Sequence, residues 1–589
     1  MPEILEIDDD EAKRMQQEAD EKRAQEEKEH AQALADADRR RAVDAENKKQ
    51  RAARAARVEE KKKQTAELMQ KLGKVDLEDD DNPDFLFTMP KENKNIDVKS
   101  LGYEIFVSEE KGRGIKAARD FKVGNLILKA EPFAFVIFDH MAEHVCHHCF
   151  NMVVRDRQGQ PTTQLLRCSS CKFARYCSRE CQKKAWSMHK KECMAIKRIA
   201  PRTASDEVRM VSQILWKQAE RGEKRAKSEE LCRVEELCDH LNDMSFEDVN
   251  KLEEQSKEIG DYFGYENLPD SDEYIDHLFG IVSCNGMSIT DMRGLQYLGV
   301  AIHPTLNLIN HDCNPNVVAV SCGPNIFVRA IKPIKEGDEL FISYIDTSAT
   351  SETRKNILKD QYYFDCTCKM CESGEKDELK SAYVMPKEDV SEKRSTYIEK
   401  NTDIMMKKIE SSKKVQAWER VAAQAGGCLL QQENLFDDTH LKKLMILQTC
   451  SEVSAILNHY DDAAQYAERV LAAYEQLYPE YSTQIGMQAY RLGVHYWHLQ
   501  RVEDAIKMLG RALKHLEITH GPEHGMYQDG LEMMKTCLQE RQMDKATLMR
   551  IRVARERMGQ GKEIDMANHV GNGPINWTSS NELSWKGKN

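Results

Sequence analysis

The sequence predicts an α+β chain: a small mixed β domain interrupted by a cysteine-rich zinc module and by a helical insert, followed by an all-α domain of tetratricopeptide-like repeats. A charged extension, helical or disordered, precedes it. Three observations carry this reading. Eight cysteine and histidine residues fall into four consecutive metal-spaced pairs between Cys146 and Cys193. Short β-rich runs punctuated by Gly, Asn and Pro lie on both sides of them. Two segments near the C-terminus repeat one pattern, Ala463 matching Ala505 at an offset of 42 residues.

In chain order, Glu11 to Gln70 is built almost wholly of Ala, Glu, Lys, Arg, Gln and Asp, with no Gly or Pro. Met15, Leu34, Val43, Val58 and Leu68 make no sustained heptad seam, so a solvated, charge-laced helix or a disordered segment is expected. Asp76–Asp84 reads as an acidic linker. Strands are expected at Tyr103–Val107, Leu126–Ala130, Phe133–Phe138, Val317–Val320, Ile326–Ala330 and Leu340–Tyr344. A helical stretch is expected over about Ala204–Phe279, and helices again from Glu372 onward. In the repeats, Ala463, Ala467, Ala505 and Ala512 are small enough to let paired helices approach closely.

With 589 residues the chain exceeds a single hydrophobic core. No window approaches the run of about 18 apolar residues that spans a membrane, no apolar leader opens the chain, and the terminal WKGKN carries no prenylation box. A net charge of −13 argues against a surface that binds nucleic acid as a whole. The clustered thiols then read as reduced and metal-bound inside a cell, in cytoplasm, nucleus or both; the basic run Lys61-Lys62-Lys63 is too short to decide between them.

The pairs are Cys146-x2-Cys149, Cys168-x2-Cys171, Cys177-x3-Cys181 and His189-x3-Cys193. Tetrahedral zinc takes four such ligands, so eight close two sites. A second cluster, Cys366-x-Cys368-x2-Cys371, needs a fourth ligand, for which Cys313 is the candidate; that makes a third zinc. The first spacing resembles the MYND zinc finger. That resemblance implies interleaved sites, Cys146, Cys149, Cys177 and Cys181 in one and Cys168, Cys171, His189 and Cys193 in the other, with His147 and His148 outside them. Lys172, Arg175, Arg179, Lys183, Lys184, Lys190 and Lys191 give the finger a basic face, read as solvated or as DNA-binding.

Five further motifs occur in order: Lys111-Gly-Arg-Gly-Ile115, Ser283-Cys-Asn-Gly286, Asn310-His-Asp-Cys-Asn-Pro-Asn316, Gly337-Asp-Glu-Leu340 running to Ser343-Tyr-Ile-Asp346, and Gln361-Tyr-Tyr-Phe-Asp-Cys-Thr-Cys368. Together they resemble the SET and MYND domain (SMYD) family of protein-lysine methyltransferases, closely over residues 100–372 and more loosely beyond. The resemblance implies S-adenosylmethionine as methyl donor and a lysine-bearing protein, histone or not, as substrate. It implies Lys111, Gly112, Arg113, Asn285, Asn310, His311, Tyr362 and Phe364 around the donor, and Tyr344 as the catalytic hydroxyl. It also implies that the Asn310-His311 segment threads a loop made by the later segment. The expected domains are an extension at 1–98, a SET domain opening at 99–145, the MYND finger at 146–193, a helical insert at 194–280, the catalytic core at 281–350, a post-SET zinc segment at 351–375, and the helical domain with its tail at 376–589.

Methyl transfer to an amine is an in-line displacement. It needs donor and acceptor aligned and the lysine neutral, which a narrow aromatic channel provides. Two positions depart from the family pattern: Met287 stands where relatives carry phenylalanine, and His303 where they carry an aromatic, so substrate choice and rate are the properties affected. A second reading is an adaptor, with peptide ligands on the finger, a chaperone or client on the helical repeats, and a vestigial SET core. Binding of the methyl donor separates the two.

Overall fold

The computed structural model describes residues 98–153, 163–221, 231–294, 296–386 and 390–543. The expected N-terminal extension and the C-terminal tail lie outside these residues. The chain divides into two compact units, 83–268 with 273–589, and 1–82 with 269–272; the β domain, the finger and the C-terminal helices belong to the first. No helix among the described residues is long and apolar enough to cross a membrane.

The β domain is assembled from small, separate sheets. β1 (Tyr103–Ser108) pairs antiparallel with β2 (Gly112–Ala117). The Lys-Gly-Arg-Gly motif, expected as a turn, is therefore largely strand, with Gly112 supplying the positive φ of +69° at its start. β3 (Leu126–Ala130) and β4 (Ala134–Ile137) follow at the expected places. The finger contributes the short β5 (Leu166–Arg167) and β6 (Arg175–Tyr176).

Beyond the insert, β7 (Met287–Thr290) and β8 (Tyr297–Ile302) continue the β4 sheet in the order β4-β8-β7. β9 (Asn310–His311) precedes β10 (Val317–Cys322) and β11 (Asn325–Ala330), which extend β3. β12 (Phe341–Ile342) then lies parallel to β9, Phe341 opposite Asn310 and Ile342 opposite His311. Parallel pairing of two dipeptides 31 residues apart is weak by itself, so the fold must hold them by other means.

The insert is three helices rather than one stretch: Asp206–Arg221, Phe246–Ile259 and Asp272–Asn285. Their buried faces, with Val208, Val211, Ile214, Leu278 and Phe279, join the β domain in one core containing Ile115, Val136, Val300 and Leu306.

The C-terminal helices are Glu392–Lys414, Trp418–Gln432, Leu441–Ile456, Tyr460–Leu477, Thr483–His498, Val502–Thr519 and Gly525–Arg541. Ala463, Ala467, Ala505 and Ala512 are all fully buried, the last three within the helical core, as small residues at close helix crossings should be. The repeat also runs one unit further upstream than the sequence shows. Gln416, Asn458 and Gln500, each 42 positions after the last, all take left-handed φ near +60° in the turn between paired helices.

Candidate active site and metal centres

Each predicted metal pair is produced by local backbone geometry. In the two C-x2-C turns the amide of Phe150 donates to Cys146 O and that of Lys172 to Cys168 O, both at 3.0 Å. The closing residue is left-handed in each, at φ 63° for Phe150 and 57° for Lys172. Such a knuckle points both thiols to one side. The other two pairs use helical periodicity: Ser178 caps the helix Arg179–Ile199, and Cys181 sits in its first turn. His189 and Cys193, one turn apart, share its buried face.

Three groups of four ligand atoms result, each within 4.8 Å of one another: Cys146, Cys149, Cys177, Cys181; Cys168, Cys171, His189, Cys193; and Cys313, Cys366, Cys368, Cys371. A tetrahedron with Zn–S bonds of about 2.3 Å has edges of about 3.8 Å. The observed separations fit it: Cys149–Cys177 3.6 Å, Cys177–Cys181 3.4 Å, Cys171 Sγ–His189 Nε2 3.7 Å and Cys313–Cys371 3.5 Å. The clusters thus have the donor chemistry and spacing of zinc sites, interleaved as expected.

Residues around the ligands complete the sites. His189 turns Nδ1 toward Glu192, 3.6 Å away, and the guanidinium of Arg209 from the insert donates to Glu192 at 3.1 Å. Burial alone would raise Glu192, yet Arg209 and His189 hold it down to about 2. This buried His–Glu–Arg chain fixes the ring orientation and bolts the finger to the insert. His147 lies outside the ligand groups, its Nδ1 near Val145 O and the Arg175 amide, both at 3.2 Å. Arg175 and Lys191 of the basic face pair with Glu143 and Glu220. In the third cluster Arg354, fully buried, donates to Cys313 Sγ at 3.3 Å and to Cys371 Sγ at 3.5 Å, countering the surplus negative charge of four thiolates. No sequence pattern singles out Arg354.

A cavity of ≈1410 Å³ opens beside this third cluster. It exceeds the roughly 300–1,000 Å³ that one small ligand takes. All nine residues expected at the donor and catalytic sites line it: Lys111, Gly112, Arg113, Asn285, Asn310, His311, Tyr344, Tyr362 and Phe364. They come from five separate stretches of chain.

Their contacts differ from residue to residue. Asn310 Nδ2 donates to Arg113 O at 3.2 Å and to Glu339 Oε1 at 2.9 Å. Gly114 permits this, since a Cβ there would stand 2.8 Å from Asn310 Nδ2. Glu339 also faces Lys111 Nζ at 3.9 Å; burial raises its carboxyl above the ordinary range, with the Asn310 bond opposing. Glu339 lies in the Gly-Asp-Glu-Leu motif, where no spacing hints at its contact with Asn310. The Arg113 guanidinium reaches Glu236 O of the insert. Asn285 Nδ2 donates to Cys238 O at 2.7 Å, tying the insert loop to the cavity wall.

His311 works in two directions. Its Nδ1 accepts the Tyr344 amide at 2.9 Å, and its Nε2 stands 3.2 Å from Cys313 Sγ. The ring joins the metal cluster to Tyr344. Tyr344 Oη donates to Ile309 O at 2.7 Å, and Tyr362 Oη to Tyr344 O at 3.3 Å. The two rings pack at 4.9 Å between centroids, with Phe364 edge-on to Tyr344. Burial pushes the Tyr344 hydroxyl far above the phenol range and Tyr362 up to about 12, so both stay protonated at neutral pH.

Met287 lines the cavity, as its departure from the family pattern implied. His303 does not. It is buried, with Nε2 3.2 Å from Pro324 O. The outer wall was also not foreseen in detail: Tyr474, Thr483, Gln484, Met487, Arg491 and His520 of the C-terminal helices complete it.

A family model, the SET domain, matches residues 112–345. The mouse (Mus musculus) histone-lysine N-methyltransferase Smyd1 is 36% identical over 450 residues, 73% of this chain and 88% of that protein. The human (Homo sapiens) N-lysine methyltransferase SMYD2 is 31% identical over 432 residues, 72% of this chain and 95% of that protein. Human histone-lysine N-methyltransferase SMYD3 is 28% identical over 445 residues, 75% and 98%. With relatives this similar matched over most of their length, on a cavity and cysteine framework of this kind, the chain belongs to the SET and MYND domain family of SET-domain protein-lysine methyltransferases.

Proposed function

We propose that this chain transfers a methyl group from S-adenosylmethionine to a lysine of a histone or another protein, with zinc in all three cysteine clusters. The observation that carries the reading is the convergence of nine residues from five chain segments on one cavity beside the third cluster. The donor, when bound, supplies an electrophilic methyl on a sulfonium.

The chain supplies position and environment. Asn310, held by Arg113 O and Glu339, offers its amide at a fixed place on the donor side, with Lys111 adding positive charge. Tyr344, Tyr362 and Phe364 form an apolar wall that favours the neutral form of an entering amine. Tyr344 stays protonated and points its hydroxyl at Ile309 O, leaving oxygen lone pairs to orient the amine and to meet the polarised methyl. The third metal cluster locks β9 beside β12, the pairing too short to hold itself, and so sets Tyr344 through His311.

The test is methyl transfer by the full-length protein from labelled S-adenosylmethionine into lysate proteins, with the modified residues located by mass spectrometry. Labelled lysines that disappear with Tyr344→Phe support the reading. Absence of both donor binding and transfer would favour the adaptor alternative.

A further inference from the structure

The outer part of the cavity holds two guanidinium groups that the donor chemistry leaves unused. Arg293 lies in the turn between β7 and β8, and Arg491 on the helix Thr483–His498; both line the cavity. Neither has a carboxylate within 4.0 Å among the described residues, although the neighbouring helix Val502–Thr519 carries such an ion pair between Arg511 and Glu475. Arg293 Nη1 is shut off from solvent and meets no hydrogen-bond acceptor.

Asp291 and Asp529 favour the charge of Arg293, but from beyond ion-pair distance. Asp291 gives one carboxylate oxygen to the Gln296 amide at 2.9 Å. Asp346, exposed on the cavity wall, is engaged by the Ser348 amide at 2.8 Å and by Tyr478 Oη at 3.1 Å. Asp529, on the last helix, acts on Arg293 only from beyond ion-pair distance, and Arg491 itself adds repulsion. His520, in the same wall, is neutral, since burial lowers it to about 3. Shielding a guanidinium from water without a partner is costly, and both side chains belong to the cavity wall.

We infer that Arg293 and Arg491 form an anion-reading pair at the substrate side of the cavity, selecting lysines that have an acidic side chain close by in sequence. This rests on the reading of the cavity as the donor and lysine site. A planar guanidinium accepts a carboxylate through paired N–H donors, and two of them repel a substrate whose flanking residues are basic. The half-exposed Tyr297, also in the lining, gives the lysine stem an aromatic surface beside them.

The experiment measures dissociation constants by fluorescence anisotropy. Labelled lysine peptides, identical except for Glu, Ala or Lys at the flanking positions, are titrated with the full-length protein saturated with S-adenosylhomocysteine. Binding of that donor product is followed in the same sample by calorimetry. The Glu peptide should bind about tenfold more tightly than the Lys peptide, the scale of one charge-assisted contact, and the difference should shrink as salt is raised. Arg491→Ala should flatten the series and Arg491→Glu should invert it, with thermal unfolding and donor-product affinity unchanged. Arg293→Gln should flatten it as well. A flat series in the unmodified protein, an order that survives Arg491→Glu, or no peptide binding while the donor product still binds would overturn the assignment. Loss of donor-product binding in the unmodified protein would overturn the reading of the cavity beneath it.

Discussion

Removing one oxygen atom from Tyr478 tests whether the C-terminal helices help set Tyr344, the proposed catalytic residue. Tyr478 closes the helix Tyr460–Leu477, is buried, and donates its hydroxyl to Asp346 Oδ1 at 3.1 Å. Asp346 stands two residues after Tyr344 and lines the cavity with its carboxylate exposed; the crowding of protein around it raises its carboxyl, while the Ser348 and Tyr478 bonds pull the other way. Tyr478→Phe keeps the ring and its packing on Tyr474, 5.1 Å away, and deletes only the donor. A hydrogen bond to a charged group contributes about 1.5–3 kcal/mol, and solvent screens the exposed Asp346, so stability should fall by about 1 kcal/mol. If the Tyr344–Asp346 segment then relaxes by a few tenths of an ångström, turnover should fall about tenfold, because positioning errors near 1 Å cost about a hundredfold. Donor affinity should not change, as Asn310 and Glu339 are remote from the substitution. The assay is paired calorimetric titration and single-turnover transfer on one preparation. Unchanged turnover with unchanged stability would refute the idea that the helices act through Asp346.

Truncation after about residue 375 is expected to leave donor binding while changing which proteins are modified, or how fast. Contacts cross that boundary. Asp377 accepts the Ser351 amide at 3.0 Å, and the buried Lys380 donates to Thr347 O and Ala349 O at 3.1 and 2.7 Å. Truncation after 375 strips both, so the fragment should lose transfer even where it still binds donor; a fragment with normal turnover would contradict this. Metal analysis should find three zincs per chain, and Cys313→Ser should lose one of them together with most transfer; three equivalents retained in the variant would show that Cys313 is not a ligand. Tyr344→Phe should spare donor binding and slow transfer by about 100-fold, so normal turnover would move the role to another hydroxyl. Acid should weaken the fold before pH 5. Burial lowers His303 and His440 to about 4 and His495 and His520 to about 3. Each is neutral when folded and gains a proton on unfolding below about pH 6.5, so stability is complete above that pH and declines as pH falls toward 4. The decline is up to about 1.4 kcal/mol per histidine per pH unit. Urea midpoints equal at pH 7 and pH 5 would exclude it, and His495→Phe should reduce the slope by one proton.

Features were legible in the sequence in proportion to how local they are. The metal ligands could be read because a C-x2-C knuckle and an i, i+4 helical pair are built by a few adjacent residues. Cys313 could be matched to Cys366, Cys368 and Cys371 only by counting ligands, yet that sufficed. β3 was readable from Leu-Ile-Leu-Lys-Ala, whereas β2 hid behind two glycines and β7 behind a motif that invited a functional reading. Arg354, Glu339 and Tyr478 were invisible for another reason. Each acts across a long stretch of chain on a partner that no periodicity points to, as Tyr478 does on Asp346. The outer cavity wall was hidden likewise: Met487 and Arg491 read as ordinary positions of a repeat helix until the repeats are packed against the β domain.

The central claim is that the cavity is a methyl-donor site organised by Asn310. Isothermal titration of S-adenosylmethionine into the full-length, zinc-loaded protein and into Asn310→Ala tests it directly. One site per chain in the unmodified protein, abolished in the variant while its zinc content and unfolding midpoint stay the same, is the predicted result. Absence of binding in the unmodified protein, or equal binding in both, would contradict it.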